Sequence, residues 1–353
     1  MKARVTDTSS NYEYVTARVR SRRASLFSEE DYRKLVRMGP GEIARFMEET
    51  EYEDEMNALG SRFSGVDLIE FALNRNLAKH FNDLLRWADG KLYDYIARYL
   101  RKFDAWNVKT IIRGIYSDAG REDVEADLVR AGEFSDEFLS RLTDAGEIED
   151  VVELLSGTIF GKPLAAAYAE YEEKGVLVPL ENAIDRAFYG TLVNALPPEP
   201  DRATGLYVEF LRAEIDFRNV RNALRLARSG ADVDPSEYFI EGGRLFSGSE
   251  LRQLVSNTDE LVARIRDSPY GDDLSAALDD LETADSLIAF EHALDGALLE
   301  YSDHLSHAFP LSVCPVLAYI LAKEREVENI RAISRGLEAG LEADEIEDEL
   351  VIQ

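Results

Sequence analysis

A chain of 353 residues, 45% of them apolar, is long enough for two or three cores, and ten prolines and 22 glycines are too few for a disordered or collagen-like chain. With 69 acids against 40 bases the net charge is −29, and only nine of the bases are lysines. A field of that sign repels phosphates and anionic lipid, which argues against a nucleic-acid partner and against direct membrane insertion.

The start, MKARVTDTSSNYEY, has no apolar segment of the kind that makes a signal peptide. Residues 1–26 are expected to hold one N-terminal helix. It carries Arg18, Arg20, Arg22 and Arg23. These could dock an acidic partner, or they could form a solvated face that offsets the chain's own acids.

From residue 27 onward three patterns follow one another, and the same three recur twice more. The first is Phe-Ser opening an acidic helix: Phe27-Ser28-Glu29, Phe134-Ser135-Asp136 and Phe246-Ser247-Gly248. Serine is a natural N-cap, and acids in a first turn complement the helix dipole. The second is Glu-x-Ala-(Leu/Ile)-(Asn/Asp), beginning at Glu70, Glu181 and Glu291. The third is (Asp/Glu)-x-x-Asn-(Val/Ile)-(Lys/Arg)-x-x-x-Arg. It runs from Asp104 to Arg113 around Asn107, from Asp216 to Arg225 around Asn219, and from Glu326 to Arg335 around Asn329.

The spacing decides against chance. Glu70 precedes Asn107 by 37 residues, and Glu181 and Glu291 precede Asn219 and Asn329 by 38 each. The chain therefore reads as three copies of one unit of about 110 residues, at 27–132, 133–244 and 245–353. Between the second and third patterns each copy has a break, at Asp89-Gly90, at Pro197-Pro198-Glu199-Pro200 and at Pro310. Each copy should then form an antiparallel helical hairpin, with long second helices at Lys91–Gly114, Arg202–Ser229 and Pro315–Gly336. Gly114 and Gly336 are the expected C-caps. Ser117–Gly120 and Ser229–Asp234 are the expected linkers. The charge-poor stretch Leu305–Ala322 contains two prolines and should be a buried loop followed by a helix rather than a membrane span. Alternating strand patterns are absent, so the fold class is all-α.

On a helical wheel the acid and the Asn of the third pattern share the apolar stripe, and the two bases fall on the opposite face, roughly 200° and 240° round from the Asn. The second pattern likewise puts its Glu on an apolar stripe. Buried carboxylates and amides need partners. The expectation is a polar clasp in each hairpin, with Glu70 facing Asn107, Glu181 facing Asn219 and Glu291 facing Asn329.

A catalytic reading of those glutamates would make the chain an acidic hydrolase. No phosphate loop, dinucleotide fingerprint, zinc-protease helix or nucleophile elbow accompanies them, and no cofactor or metal is expected. His304 and His307 lie three apart, by expectation in a proline-flanked loop, without a third ligand nearby. Cys314, the only cysteine, excludes an internal disulfide and is expected as a small buried residue.

These residues resemble a known family. The opening Tyr12-x-Tyr14-Val-x-Ala-Arg18-Val-Arg20, the segment Asp104–Gly114 and the segment Glu326–Gly336 are similar to the C subunits of the A-type and V-type rotary ATPases, which are related to the d subunit of the vacuolar pump. The middle copy departs from the pattern, with Ala223-Leu224-Arg225-Leu226 where the others carry Ile and Gly. The resemblance implies three similar helical domains around a pseudo-threefold axis, funnel-shaped. It also implies a non-catalytic socket on the cytoplasmic face of the membrane, between the central-stalk subunits and the membrane rotor ring. The acid-rich, lysine-poor composition suits a salt-rich cytosol. The competing expectation is a helical-repeat adaptor unrelated to ATPases.

Overall fold

The computed structural model describes residues 10–195, 202–229, 234–283 and 287–352. Among these, the regular structure is helical and no strand occurs.

The serine caps form as the residue types require. Ser28 accepts from Asp31 N and Ser247 from Glu250 N, each closed into a capping box by the acid three residues on. Ser135 accepts from Phe138 N at 3.2 Å. The long helix expected at Arg202–Ser229 runs over those residues.

Other boundaries differ. The expected Lys91–Gly114 helix is two segments, Gly90–Leu100 and Lys102–Tyr116, separated at Arg101. Arg101 keeps right-handed helical angles, so the interruption is a hesitation within one turn. Gly114 lies inside the second segment and is not a cap. Gly336 is not a cap either. Its helix, Cys314–Ala339, ends at Gly340, whose φ of +80° is the left-handed conformation that glycine accepts without strain. Gly336 is needed for a different reason: a Cβ there would stand 2.8 Å from the Ile346 side chain. His304 and His307 sit in the helix Ile288–Ala308, not in a loop. In the connection after it Ser312 and Val313 are buried but Leu311 is 60% exposed. The Pro197–Pro200 turn and most of the Ser229–Asp234 linker lie outside the described residues.

Two compact units result. One comprises Met1–Thr110, Ala119–Thr143 and Ser302–Ile352; the other comprises Ile111–Asp118 and Asp144–Tyr301. In the first, the helix Gly65–Trp87 packs against Cys314–Ala339, and the N-terminal helix Tyr12–Arg23 lies on the latter. Ile69, Phe81, Val316, Ile320, Val15 and Val19 are buried there. In the second, Phe217, Val220 and Leu224 of Arg202–Ser229 meet Leu261, Ile265 and Leu278 of the helices that follow. Burying such side chains contributes roughly 1.5–3 kcal/mol each. No helix among the described residues is long and apolar enough to cross a membrane.

Candidate functional site

The repeated polar residues are the site, and each has a defined partner. The glutamates of the second pattern are held by arginines that close the third pattern. Arg113 Nε donates to Glu181 Oε1 at 2.5 Å. Arg225 Nε donates to Glu291 Oε1 at 2.6 Å, with a second bond from its Nη2 to Oε2. Arg335 Nε donates to Glu70 Oε1 at 2.6 Å, and Arg331 Nε to Glu70 Oε2 at 2.7 Å. The base two after the Asn reaches the residue four after the Glu: Arg331 donates to Asn74 Oδ1 at 2.8 Å, and Arg221 pairs with Asp295.

The asparagines bind backbone. Asn107 donates to Val129 O and accepts from Val129 N, both at 2.8 Å. Asn219 does the same with Ile240, at 2.8 and 3.0 Å, and Asn329 with Val351, at 2.9 and 3.1 Å. Each amide thus satisfies one residue of a loop about 21 or 22 positions later, in place of the missing ladder of a regular element.

The acids three before the asparagines bind the Phe-Ser turns. Asp104 accepts from Glu133 N at 2.8 Å and Phe134 N at 3.0 Å. Asp216 accepts from Arg244 N and Leu245 N, at 2.8 and 2.9 Å. Glu326 accepts from Phe27 N at 2.6 Å. Burial pushes Asp104 up to about 6 and raises Asp216, against the pull of those N–H donors.

The expected Glu–Asn clasp is therefore corrected. Glu70, Glu181 and Glu291 face arginines, and Asn107, Asn219 and Asn329 face loop backbone. A wheel assigns the bases of the third pattern to solvent, but that face meets carboxylates distant in the sequence. A guanidinium fork fits a carboxylate better than an amide does, and the amide is the group that can serve an N–H and a C=O together.

A fourth recurring element is not among the three sequence patterns. Tyr52 donates to Glu326 Oε1 at 2.7 Å and Tyr270 to Asp216 Oδ2 at 3.1 Å. Between these two in the sequence the corresponding residue is Phe160, which has no hydroxyl. The signal that marks the position is a hydroxyl residue two before the ring. Thr50, Thr158 and Ser268 each accept from the N–H of that aromatic residue, at 3.4, 3.2 and 3.2 Å. Lys323, fully buried, donates to Tyr52 at 2.9 Å and to Glu326 at 2.6 Å. Burial lowers its pKa despite Glu326.

The N-terminal arginines divide. Arg22 is bound to Asp83 and to the His80 carbonyl, and Arg23 to Asp303, so neither is available to a partner. Arg18 and Arg20 are exposed. Among the described residues no group of three or more His, Cys, Asp or Glu side chains comes together to hold a metal.

The fold and the site define an all-helical repeat protein whose shared polar residues join one part of its own chain to another. The comparisons name the kind. The model of the ATP synthase (C/AC39) subunit family matches residues 15–349, and the chain belongs to that family. It is 72% identical over 343 residues to the A-type ATP synthase C subunit of Haloferax volcanii, covering 97% of this chain and 98% of that one. It is 61% identical over 344 residues to that of Halobacterium salinarum, covering 97% and 98%. It is 37% identical over 346 residues to that of Methanococcoides burtonii, covering 98% and 95%.

Proposed function

We propose that this chain is the coupling socket of an A-type ATP synthase, standing between the central-stalk subunits and the membrane rotor ring on the cytoplasmic face of the membrane. As a family member it is a non-catalytic subunit of an ATP synthase. Its task is to carry rotation between an ion-driven ring and the head that makes ATP.

One observation supports this reading above the others: the direction of the repeated bonds. Taking the copies as 27–132, 133–244 and 245–353, Arg113 of the first holds Glu181 of the second, and Arg225 of the second holds Glu291 of the third. Arg335 of the third holds Glu70 of the first. The acid–turn bonds run in the same order, Asp104 to Phe134, Asp216 to Leu245 and Glu326 to Phe27. These like contacts follow one head-to-tail order along the sequence, and the last of them pairs the final copy with the first, whereas an open solenoid leaves its last unit unmatched. Helices tied to one another by such ion pairs and backbone-binding side chains are suited to resist torque.

The adaptor reading lacks this support, because such arrays use units of 20–50 residues and are open-ended. The hydrolase reading fares no better, since each glutamate it needs is already bound to arginine. The test is co-purification from detergent-solubilised membranes. The chain should travel with rotor-ring and stalk subunits; its recovery without them would overturn the proposal.

A further inference from the structure

The N-terminal helix presents a cation that no acid among the described residues has claimed. Arg18 is exposed, and its guanidinium lies 4.7 Å from the Tyr14 ring centroid and 4.8 Å from that of Trp87. Among the described residues it has no hydrogen-bond or ion-pair partner, in a chain with an excess of 29 acids. Its neighbour one turn on, Arg22, also stacks on Trp87, at 4.5 Å, but is engaged by Asp83 and the His80 carbonyl.

The platform under Arg18 is fixed from both ends. Asn11 Nδ2 donates to the Trp87 carbonyl at 2.8 Å, and Asn11 Oδ1 accepts from Asp89 N at 3.0 Å. Val15 and Val19 are buried on the inner side of the same helix. Tyr14 remains 48% exposed beside the guanidinium. Contact with two rings restricts the guanidinium, so less side-chain freedom remains to be lost when its N–H groups find an acceptor. Tyr, Trp and Arg together are the composition of an interface anchor, and a planar cation with unused parallel donors is complementary to a carboxylate.

We propose that Arg18, set against the Tyr14 and Trp87 rings, is an anchor that receives an aspartate or glutamate side chain of a neighbouring subunit in the ATP synthase. The inference rests on the socket reading above. The occupant is a protein carboxylate rather than an anionic lipid, because a net charge of −29 opposes approach to a charged membrane surface. A single contact-range ion pair in an interface, where water and salt are excluded, is much less affected by that field.

The test is rebinding of purified chain to ATP synthase complexes stripped of this subunit, with affinity measured for wild type, Arg18→Ala, Arg18→Lys and the exposed Arg45→Ala as control. Helical circular dichroism establishes that each variant is folded. Both Arg18 variants should bind about tenfold more weakly or worse, lysine included because it keeps the charge but not the fork. Arg45→Ala should match wild type. Wild-type affinity in either Arg18 variant would overturn the anchor while leaving the socket reading intact. Failure of the wild type itself to rebind would overturn both. In parallel, flotation with phosphatidylcholine vesicles containing phosphatidylglycerol should show no Arg18-dependent attachment; attachment lost in Arg18→Ala would reassign the site to lipid phosphate and overturn the protein-carboxylate assignment.

Discussion

Arg335 donates to Glu70 across 265 residues of sequence, at 2.6 Å, and Arg331 takes the other carboxylate oxygen. Only 11% of the Glu70 side chain is exposed, against 25% for Glu181 and 21% for Glu291 in the equivalent pairs. Glu70→Ala should therefore be the costliest of the three truncations. Two charge-assisted bonds are lost, but Arg335 is more than half exposed, which reduces its share, so the loss should be about 2–3 kcal/mol. Glu181→Ala should cost less than about 1 kcal/mol, because Arg113 is similarly exposed and makes one bond. Denaturant melts of the three variants would establish the ranking.

Asn107 gives a sharper test of the loop bonds. Both ends of its amide are used by Val129, and all the atoms involved are buried. Asn107→Ala should cost about 2–4 kcal/mol, since it strands one N–H and one C=O. Asn107→Asp should be no milder, because a carboxylate cannot donate to the Val129 carbonyl. Equal stability of Asn107→Asp and wild type at pH 7 would refute the bidentate role.

How much of this is legible in the sequence follows from what a wheel can and cannot encode. The serine caps, the bounds Arg202–Ser229 and the constant Glu-to-Asn spacing are local or periodic, so the residues alone suffice for them. The partner of Glu70 is not local. Arg335 lies 265 residues away, and a wheel drawn for one helix treats any face without apolar residues as solvent. The tyrosine bonds are hidden by composition, because Phe160 breaks the identity that would mark Tyr52 and Tyr270 as a pair. Gly336 reads as a cap because glycine has two uses, and only the nearness of Ile346 separates them.

His80 supplies a pH prediction. Its Nδ1 lies 2.5 Å from the Tyr319 hydroxyl, and burial, reinforced by Lys323, Arg22 and Lys79, lowers its pKa to about 2. The folded state keeps the ring neutral, whereas an unfolded histidine takes a proton near pH 6.5. The depressed value means that the stabilisation is complete above pH 6.5 and shrinks as pH falls. The loss should be about 1.4 kcal/mol per pH unit below that point. His80→Gln should remove this slope, so the stability difference between wild type and variant should shift steadily from pH 6.5 to pH 4.5. A constant difference would show that His80 titrates normally.

The net charge sets a salt prediction. At −29 the folded chain repels itself, and screening relieves the repulsion. Thermal melts in dilute buffer and in molar KCl should differ, with the higher midpoint in salt. Similarity to proteins of the halophilic archaea Haloferax and Halobacterium fits such a setting. An unchanged midpoint would rule it out.

The most direct test of the proposal that this chain transmits rotation through its repeated contacts without catalysing anything is the ratio of ion pumping to ATP hydrolysis in reassembled complexes. The measurement compares wild type with Glu70→Ala, which removes the bonds from Arg331 and Arg335. Hydrolysis in the head should continue near its wild-type rate while pumping per ATP falls. Pumping that stays in proportion to hydrolysis, in complexes verified to contain the variant, would contradict the claim.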